Sequence, residues 1–270
     1  MELKRASLPK GTISYRSAGV GPAILFLHGL GGGSKSWLYQ LKMLSRRYQV
    51  LAWDTPGYGE SARRSPDLET YARSAAELIE ALHLDRVTLV GNSMGGLIAG
   101  RLAAIRPDLI SRLVLSSTFA GKSKPQDAPL AEGYRKRIQE LETLTGDEFG
   151  RARAKSMTAA TTTQEAFDLV AEIASEVHKD GYADACKMLD GADNRAVLPQ
   201  LKLPVLILEA EDDSIVTKEK GDELSALIPH AERATIKAGG HASYIEIPEE
   251  YNRYLVDFIE RTPSDRSAAE

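Results

Sequence analysis

Short runs of branched apolar residues recur along the chain, separated by longer segments in which apolar positions return every three or four residues. The runs without polar alternation are Ala23–Leu27, Val50–Trp53, Val87–Val90, Leu113–Leu115 and Val205–Leu208. Such runs are typical of strands buried on both faces of a parallel sheet. Between them lie apolar stripes at helical spacing, one at Ala75, Leu78, Ile79 and Leu82 and one at Leu97, Ile98, Leu102 and Ile105. This order predicts a doubly wound α/β fold.

The alternation is interrupted once. From about residue 121 to residue 200 no strand run appears, and the pattern predicts helices at Tyr134–Leu144, Glu148–Met157, Gln164–Val177 and Tyr182–Leu189. Afterwards it predicts helices near Lys218–Leu227 and Pro248–Glu260 and a strand near Arg233–Lys237, and at the start an antiparallel edge from Leu3–Leu8 and Thr12–Arg16. We therefore expect a core of residues 1–120 and 201–262, a helical cap of residues 121–200, and a flexible tail at 263–270.

The composition limits the classes of protein the chain can belong to. The 270 residues include 34 basic and 38 acidic side chains, a formal charge of −4, which gives no broad basic surface for nucleic acid. The one cysteine excludes an intramolecular disulfide and a cysteine-rich zinc site. No run approaches the ~18 apolar residues of a membrane span, and the charged start is unlike a secretory signal. We expect a soluble, cytoplasmic protein that binds neither nucleic acid nor membrane.

The strongest chemical signal is the motif Gly-Asn-Ser-Met-Gly-Gly at residues 91–96. It follows a predicted strand and opens a predicted helix, the setting of a nucleophile elbow, in which the serine sits on a sharp, strained turn. Side chains at Gly91 or Gly95 would collide with neighbouring backbone in such a turn. The motif predicts Ser93 as the nucleophile. The alternative is an ordinary strand-to-helix turn that contains a serine.

A serine nucleophile needs a base and an acid, which follow it in the chain order serine, acid, histidine. His241 meets this requirement, because it follows a predicted strand and a Gly-Gly pair just before the last helix. Two of the other histidines precede Ser93, and two lie in segments expected at the surface: His28, His83, His178 and His230. Four carboxylates follow the strand that ends at Leu208, and the residues alone leave the choice between Asp212 and Asp213 open.

At this point the sequence resembles the α/β-hydrolase superfamily over nearly the whole chain. The resemblance rests on the segments His28–Gly32, Asp54–Gly59 and Gly91–Gly96, which stand in the expected order. It implies a mostly parallel sheet of about eight strands with a helical cap after the sixth. Similar sequences place the acid fourth in a Gly-x-x-Asp-x-x-Val-Pro run, which selects Asp213 here, although this chain has Ala210 and Thr217 at the two ends of that run.

The glycine-rich loop after the first apolar run predicts the second half of the catalytic site. We expect Gly29 and Gly31 to let the backbone approach a ligand, so that the N–H groups of Leu30 and Met94 form an oxyanion hole. A phosphate-binding loop is the rival interpretation, and it lacks the required Lys-Ser/Thr and glycine spacing. We interpret His28 as a structural brace of this loop.

Asp54 ends a predicted strand and invites a catalytic interpretation. We expect it instead to anchor the turn at residues 56–59.

Ser93, His241 and Asp213 together predict acyl transfer to water on a small-molecule ester or lactone, with no metal and no cofactor. The end of the cap, Gly181–Cys186, resembles 3-oxoadipate enol-lactonases and related carboxylesterases. Haloalkane dehalogenases and epoxide hydrolases carry aspartate where this chain has Ser93. Hydrolysis of a C–C bond, as in meta-cleavage-product hydrolases, is an alternative, but those enzymes usually have tryptophan at the place of Ala242.

Two further questions stay open at this stage. Residues 121–155 carry eight cations against six acids and residues 156–200 three against eight, which favours either an anionic substrate or a solvated helix face. A ligand receptor or scaffold on the same fold is a non-catalytic alternative. The sequence does not decide between a monomer and a homo-oligomer.

Overall fold

The apolar runs form an eight-stranded sheet in the computed structural model, which describes residues 1–125 and 127–262. The strands are β1 (Leu3–Leu8), β2 (Gly11–Ala18), β3 (Ala23–Leu27), β4 (Gln49–Trp53), β5 (Val87–Asn92), β6 (Ile110–Ser116), β7 (Val205–Ala210) and β8 (Glu232–Ile236). Each of the five apolar runs lies within a strand, which confirms that prediction. The predicted tail at 263–270 lies outside the described residues.

The helices follow the predicted spacing with small shifts at their ends. They are α1 (Leu38–Leu44), α2 (Leu68–Ala81), α3 (Met94–Ile105), α4 (Glu132–Thr143), α5 (Gly146–Met157), α6 (Gln164–Ser175), α7 (Lys179–Gly191), α8 (Lys218–Leu227), α9 (Ser243–Glu246) and α10 (Pro248–Arg261). The sequence pattern did not predict α1 and α9, which are only seven and four residues long. No helix within the described ranges is long and apolar enough to cross a membrane.

The sheet order is β1-β2-β4-β3-β5-β6-β7-β8, in which β2 is antiparallel to both of its neighbours, β1 and β4, and all other pairs are parallel. The predicted doubly wound, mostly parallel fold with an antiparallel edge is therefore confirmed. Because parallel strands share a direction, their carboxyl ends, and the loops that follow them, lie along one edge of the sheet.

Helices cover both faces of the sheet, which is why its strands contain no polar alternation. In β3 Ile24 and Phe26 pack toward α1 and α10, whereas Leu25 and Leu27 pack toward α2 and α3. All four side chains are at most 1% exposed. The same alternation between the two faces continues in the neighbouring central strands.

Helix α3 is buried more completely than its predicted stripe implies. Leu97, Ile98 and Ala99 are consecutive and all 0% exposed, so the first turns of the helix have no solvated face. The reason is that the chain returning from the inserted helices covers α3. The Asn194 side-chain amide donates to Leu97 O at 2.8 Å, and a Cβ atom on Gly100 would lie 3.2 Å from the Leu198 side chain.

Helices α4 to α7 are inserted between β6 and β7, as the sequence predicts. The two ends of this insertion are joined by an antiparallel bridge between Gly121 and Asp193 and by a 2.8 Å hydrogen bond from Lys122 N–H to Ala192 O. The insertion therefore leaves the sheet edge and returns to it at one point.

The last inserted helix, α7, rests directly on the core. A Cβ atom on Gly181 would lie 1.9 Å from Gly57 O, so only glycine permits this approach of the two backbones. The Arg63 guanidinium donates to Asp184 at 2.8 Å and to Asp180 at 2.9 Å beside it. The contact fixes the start of α7 over the turn that follows β4.

Replacing Gly181 by alanine should therefore separate α7 from the core. Gly181→Ala should lower the free energy of unfolding by about 1–3 kcal/mol, the usual cost of overpacking. The control is Gly133→Ala in α4, where a Cβ atom would meet nothing within 4 Å. That change should raise stability by up to about 1 kcal/mol through helix propensity. Urea unfolding measures both, and equal midpoints for Gly181→Ala and wild type would contradict the expected collision.

Candidate active site

The structure places the three predicted catalytic residues at the same edge of the sheet. Ser93 follows β5, Asp213 lies in the loop after β7, and His241 lies in the loop between β8 and α9. Ser93 and His241 are 8% and 4% exposed, so both lie beneath the surface. Their burial agrees with a site that lies between the sheet edge and the inserted helices.

Ser93 has the strained backbone of a nucleophile elbow. Its φ is 53° and its ψ is −114°, a region that non-glycine residues rarely occupy. Hydrogen bonds hold the turn, because Ser93 N–H donates to Ser116 O at 2.9 Å and Ser93 O accepts from Thr118 Oγ1 at 2.6 Å and Gly96 N–H at 2.9 Å. Thr118 could not be identified from the sequence, because it contacts the elbow from the segment that follows the neighbouring strand β6.

The glycines on either side of Ser93 are required by close packing. A Cβ atom on Gly95 would lie 2.0 Å from Leu27 O, and one on Gly91 would lie 2.2 Å from Gly95 O. The atoms at these distances belong to the backbone, which cannot move away to make room for a side chain. The first turn of α3 is thereby pressed against the end of β3, where the glycine-rich loop begins.

His241 and Asp213 form a directly hydrogen-bonded pair. His241 Nδ1 lies 2.9 Å from Asp213 Oδ2, and the two side chains are 5% and 2% exposed. The other carboxylate oxygen, Asp213 Oδ1, accepts from the N–H groups of Ile215 at 2.8 Å and Val216 at 2.9 Å. With Nδ1–H donating to the carboxylate, Nε2 is left as the basic nitrogen. Asp212 is exposed and makes no such contact with the ring in the described part of the chain.

The surroundings of Asp213 favour its charged form. Burial alone would raise the pKa of Asp213, but the hydrogen bond and charge of His241, together with the N–H groups of Val216 and Ile215, lower this pKa below its ordinary value. Asp213 is therefore a carboxylate at neutral pH, which is the state that orients a histidine base and stabilises its protonated form.

No hydrogen bond joins the Ser93 hydroxyl to His241 among the described residues. In structures without substrate, catalytic hydrogen bonds are often long and shorten only in the reacting complex. The structure therefore brings His241 and Asp213 into contact and leaves the Ser93–His241 contact as a prediction.

Two backbone donors lie beside Ser93. The N–H groups of Leu30 and Met94 have no acceptor within residues 1–125 and 127–262. Met94 begins α3, whose positive dipole end faces this region. The glycine-rich loop passes close to the serine, because a Cβ atom on Gly29 would lie 3.2 Å from Ser93 Cβ. Gly31 in this loop has a φ of 83°, a conformation that favours glycine. The arrangement suits an oxyanion, and the oxyanion hole stays a prediction.

Both ring nitrogens of His28 are occupied by the backbone. The N–H group of Thr55 donates to His28 Nε2 at 3.0 Å, so Nδ1 carries the proton and donates to Gly29 O at 2.8 Å. Burial lowers the pKa of His28, with hydrogen bonding to Gly29 and the charge of Asp54 opposing it, and the ring is neutral. His28 thus links the glycine loop to the end of β4 and is not available as a base.

Asp54 joins several segments of the core. Its Oδ1 accepts from Ser34 N–H at 2.6 Å and its Oδ2 from Ser14 Oγ at 2.7 Å, so the carboxylate joins the glycine loop to β2. The same carboxylate lies against the turn at residues 56–59, because a Cβ atom on Gly59 would lie 2.6 Å from Asp54 Oδ2. Glu60 N–H, just after the turn, donates to the same Ser14 Oγ at 3.0 Å.

Glu246 is a site residue that the sequence did not reveal. Its Oε1 accepts from Gly240 N–H at 3.1 Å and its Oε2 from Ala159 N–H at 2.7 Å, so one side chain ties the His241 loop to the inserted helices. Ala242 N–H donates to Met157 O at 3.1 Å in the same contact. Burial raises the pKa of Glu246, against the hydrogen bonds that lower it. Only the folded contact distinguishes Glu246 from the other acids nearby.

The described residues offer no alternative centre of chemistry. They contain no group of three or more metal-binding side chains, and a metal-free reaction stays a prediction. Burial raises the pKa of the one thiol, Cys186, to about 12. A cleft of about 720 Å³ lies between the start of α2 and the end of α7, and Ser93, Asp213 and His241 do not line it.

An eight-stranded, mostly parallel sheet, with a serine at the strained turn between a central strand and the next helix, defines the class of α/β hydrolases. The chain belongs to the alpha/beta hydrolase fold family, whose sequence model matches residues 22–248. The resemblance found in the sequence is thereby confirmed.

Individual relatives are distant but cover almost the whole chain. A curated relative, (E)-2-((N-methylformamido)methylene)succinate hydrolase from Acinetobacter baylyi, is 27% identical over 259 residues, 93% of this chain and 95% of that protein. The enol-lactonase from Burkholderia xenovorans LB400 superposes with a TM-score of 0.84 at 27% identity, covering 95% of this chain and 100% of that one. An esterase from Exiguobacterium antarcticum, with a TM-score of 0.86, 21% identity and coverage of 95% and 99%, shows the fold alone. The first two are hydrolases by name.

The Glu246 contacts predict a measurable loss of stability. Glu246→Ala leaves the buried N–H groups of Gly240 and Ala159 without an acceptor, which should lower the free energy of unfolding by about 2–4 kcal/mol. Glu246→Gln keeps one acceptor oxygen, so its free energy of unfolding should lie between those of wild type and Glu246→Ala. The control is the exposed Glu249→Ala, expected within about 0.5 kcal/mol of wild type. Urea unfolding measures these free energies. A Glu246→Ala protein as stable as the control would contradict the role of this contact.

Proposed function

We propose that the chain is a serine hydrolase that cleaves a small-molecule carboxylic ester or lactone through an acyl-enzyme on Ser93. The observation that carries the proposal is the buried Asp213–His241 hydrogen bond, at the same sheet edge as a serine with a strained elbow backbone. The N–H groups of Leu30 and Met94, which find no acceptor among the described residues, support it.

The proposed reaction follows from what each group can do. His241 Nε2 takes the proton of the Ser93 hydroxyl while the oxygen attacks the ester carbonyl. The negative oxygen that forms accepts from Leu30 and Met94 N–H, and losing one such donor typically costs about 10²–10³ in rate. His241 then protonates the leaving alcohol, and water, activated by the same ring, releases the acid. Asp213 holds the ring in the required tautomer throughout.

Ester or lactone chemistry is preferred over C–C hydrolysis for two reasons. The enol-lactonase is a full-length structural relative at 27% identity. Ala242 stands where the meta-cleavage enzymes usually have tryptophan, and its side chain is 0% exposed, so the space beside His241 is already filled. The name of the succinate derivative hydrolase indicates that relatives at this distance also act on other acyl compounds.

The rest of the proposal concerns the setting of this enzyme. Residues 121–200 act as a cap over a core made of 1–120 and 201–262. The free, buried thiol of Cys186 is compatible with a reducing, cytoplasmic compartment.

The central test is whether hydrolysis depends on Ser93. Purified wild type should hydrolyse 4-nitrophenyl acetate and butyrate, and Ser93→Ala should lose more than about 10³-fold in kcat/KM. A fluorophosphonate probe should label wild type at the peptide that contains Ser93. Ser65→Ala, an exposed serine far along the chain from the elbow, is the control and should keep activity and labelling. If no ester or lactone is cleaved in a Ser93-dependent way by folded protein, the receptor alternative replaces the proposal.

The role of Asp213 is tested against its neighbour. Asp213→Asn should lower kcat about 10⁴-fold, because an amide N–H facing Nδ1 favours the wrong tautomer of His241. Asp212→Asn changes the same chemical group one residue earlier and should leave kcat near the wild-type value. Steady-state kinetics on the butyrate ester compares them. Equal losses in the two variants would contradict the assignment of Asp213.

A further inference from the structure

Arg153 is a buried cation with no partner in the part of the chain that the structure describes. It lies on α5, and the residue is only 6% exposed. Within residues 1–125 and 127–262 its guanidinium makes no ion pair and no hydrogen bond, and its Nε is enclosed without an acceptor. Buried charges in proteins are normally paired, because leaving water is costly. An unpaired arginine here therefore calls for an anion that the described residues do not supply.

Arg153 stands on the face of α5 that looks toward the glycine-rich loop. Phe149, Arg153 and Met157 are buried at successive intervals of four residues, so they form one stripe about 12 Å long. At its start the Phe149 ring meets Tyr182 edge-on with 5.6 Å between centroids. The Tyr182 ring lies 3.7 Å from the position of a Cβ atom on Gly31.

The other end of the stripe touches the histidine loop. Met157 O accepts from Ala242 N–H at 3.1 Å, directly after His241. Arg153 is one helical turn before Met157. It therefore lies between the loop that carries the proposed oxyanion donor and the loop that carries the proposed base.

The surroundings of Arg153 are cationic. Burial raises the pKa of the Cys186 thiol, and the charges of Arg137, Arg153 and Lys122 oppose this rise, so all three lie within electrostatic reach of one buried group. Burial also lowers the pKa of Lys122, the direction expected for a cation that lacks a close anion.

Two nearby carboxylates do not neutralise this cluster. Glu140 acts on Arg153 through its charge but lies beyond ion-pair distance. Asp190 is already engaged, since it lies 3.3 Å from Lys124 Nζ and accepts from Ala131 N–H at 2.7 Å.

We propose that Arg153 determines specificity, by binding a carboxylate that the substrate carries in addition to its scissile ester or lactone bond. The inference rests on the proposed function, because it concerns the same site. A guanidinium offers two parallel N–H donors that match the two oxygens of a carboxylate. Water and neutral groups do not present two such charged oxygens. The preferred substrates are then monoesters of dicarboxylic acids or carboxylated lactones.

The test compares two esters that differ only in charge. 4-Nitrophenyl hydrogen glutarate carries a free carboxylate, and 4-nitrophenyl pentanoate has the same chain length without it. Wild type should prefer the glutarate ester in kcat/KM. Arg153→Met should lower kcat/KM for this ester by about 10–10²-fold, mainly through KM, since the contact is made in ground and transition states alike. Activity on the pentanoate ester should stay near wild type.

Two variants control for charge and folding. Arg153→Lys keeps the charge without the planar fork and should retain part of the preference. Arg151 lies on the same helix, and its side chain is 53% exposed and already paired with Asp147 and Asp168. Arg151→Met should therefore leave the activity on both esters unchanged. Arg153→Met should melt at or above the wild-type temperature, because an unpaired buried charge is replaced by an apolar side chain. A lower melting temperature together with equal losses on both esters would indicate a structural role and overturn the inference.

A binding measurement separates this inference from the proposed function. Calorimetric titration of Ser93→Ala with succinate, glutarate and adipate should show binding of a dianion that is lost in Ser93→Ala/Arg153→Met. Ester hydrolysis with no preference for the charged ester and no dianion binding overturns the inference and leaves the proposed function standing. Absence of Ser93-dependent hydrolysis overturns the proposed function, and the Arg153-dependent titration still decides the inference.

Discussion

The strained backbone at Ser93 is the constraint on which the rest of the site depends. A positive φ at a residue with a side chain is unfavourable, and it persists only where surrounding packing leaves no alternative. Here Gly95 lies against Leu27 O and Thr118 holds the Ser93 carbonyl. The same packing presses the start of α3 against the glycine loop, so the N–H groups of Leu30 and Met94 come to lie beside the strained serine.

The inserted helices are part of this site and do more than cover it. Glu246 accepts hydrogen bonds from both the histidine loop and the loop after α5, and Ala242 bonds to the end of that helix. The position of His241 therefore depends on residues far away in the chain. Contacts shared in this way are energetically coupled, so changes in the cap should alter the geometry of the base as well as substrate access.

The difference between local sequence patterns and contacts that form only on folding explains what could be predicted from the sequence. Strands and elbow follow from local patterns, since an apolar run or Gly-x-Ser-x-Gly needs no knowledge of its neighbours. The choice between Asp212 and Asp213 does depend on neighbours, because adjacent residues in a loop point in different directions and only folded contacts show which one meets His241. Glu246 has no local signature at all. The stripe expected on α3 is buried as predicted, but the burial extends beyond it because the chain returning from the cap covers the helix.

The charge pattern of the cap is a further case in which the sequence alone does not reveal the folded contacts. Counting charges treats Arg151 and Arg153 as equivalent, yet they stand two residues apart on one helix and therefore on different faces. Arg151 is exposed and paired, so its charge is largely screened and adds little. Arg153 is buried and has no partner in the described part of the chain, and the low local dielectric there strengthens any attraction to an incoming carboxylate. The net charge of the segment therefore carries no information about which cation the fold deprives of water, and the proposed preference for an anionic substrate rests on that distinction.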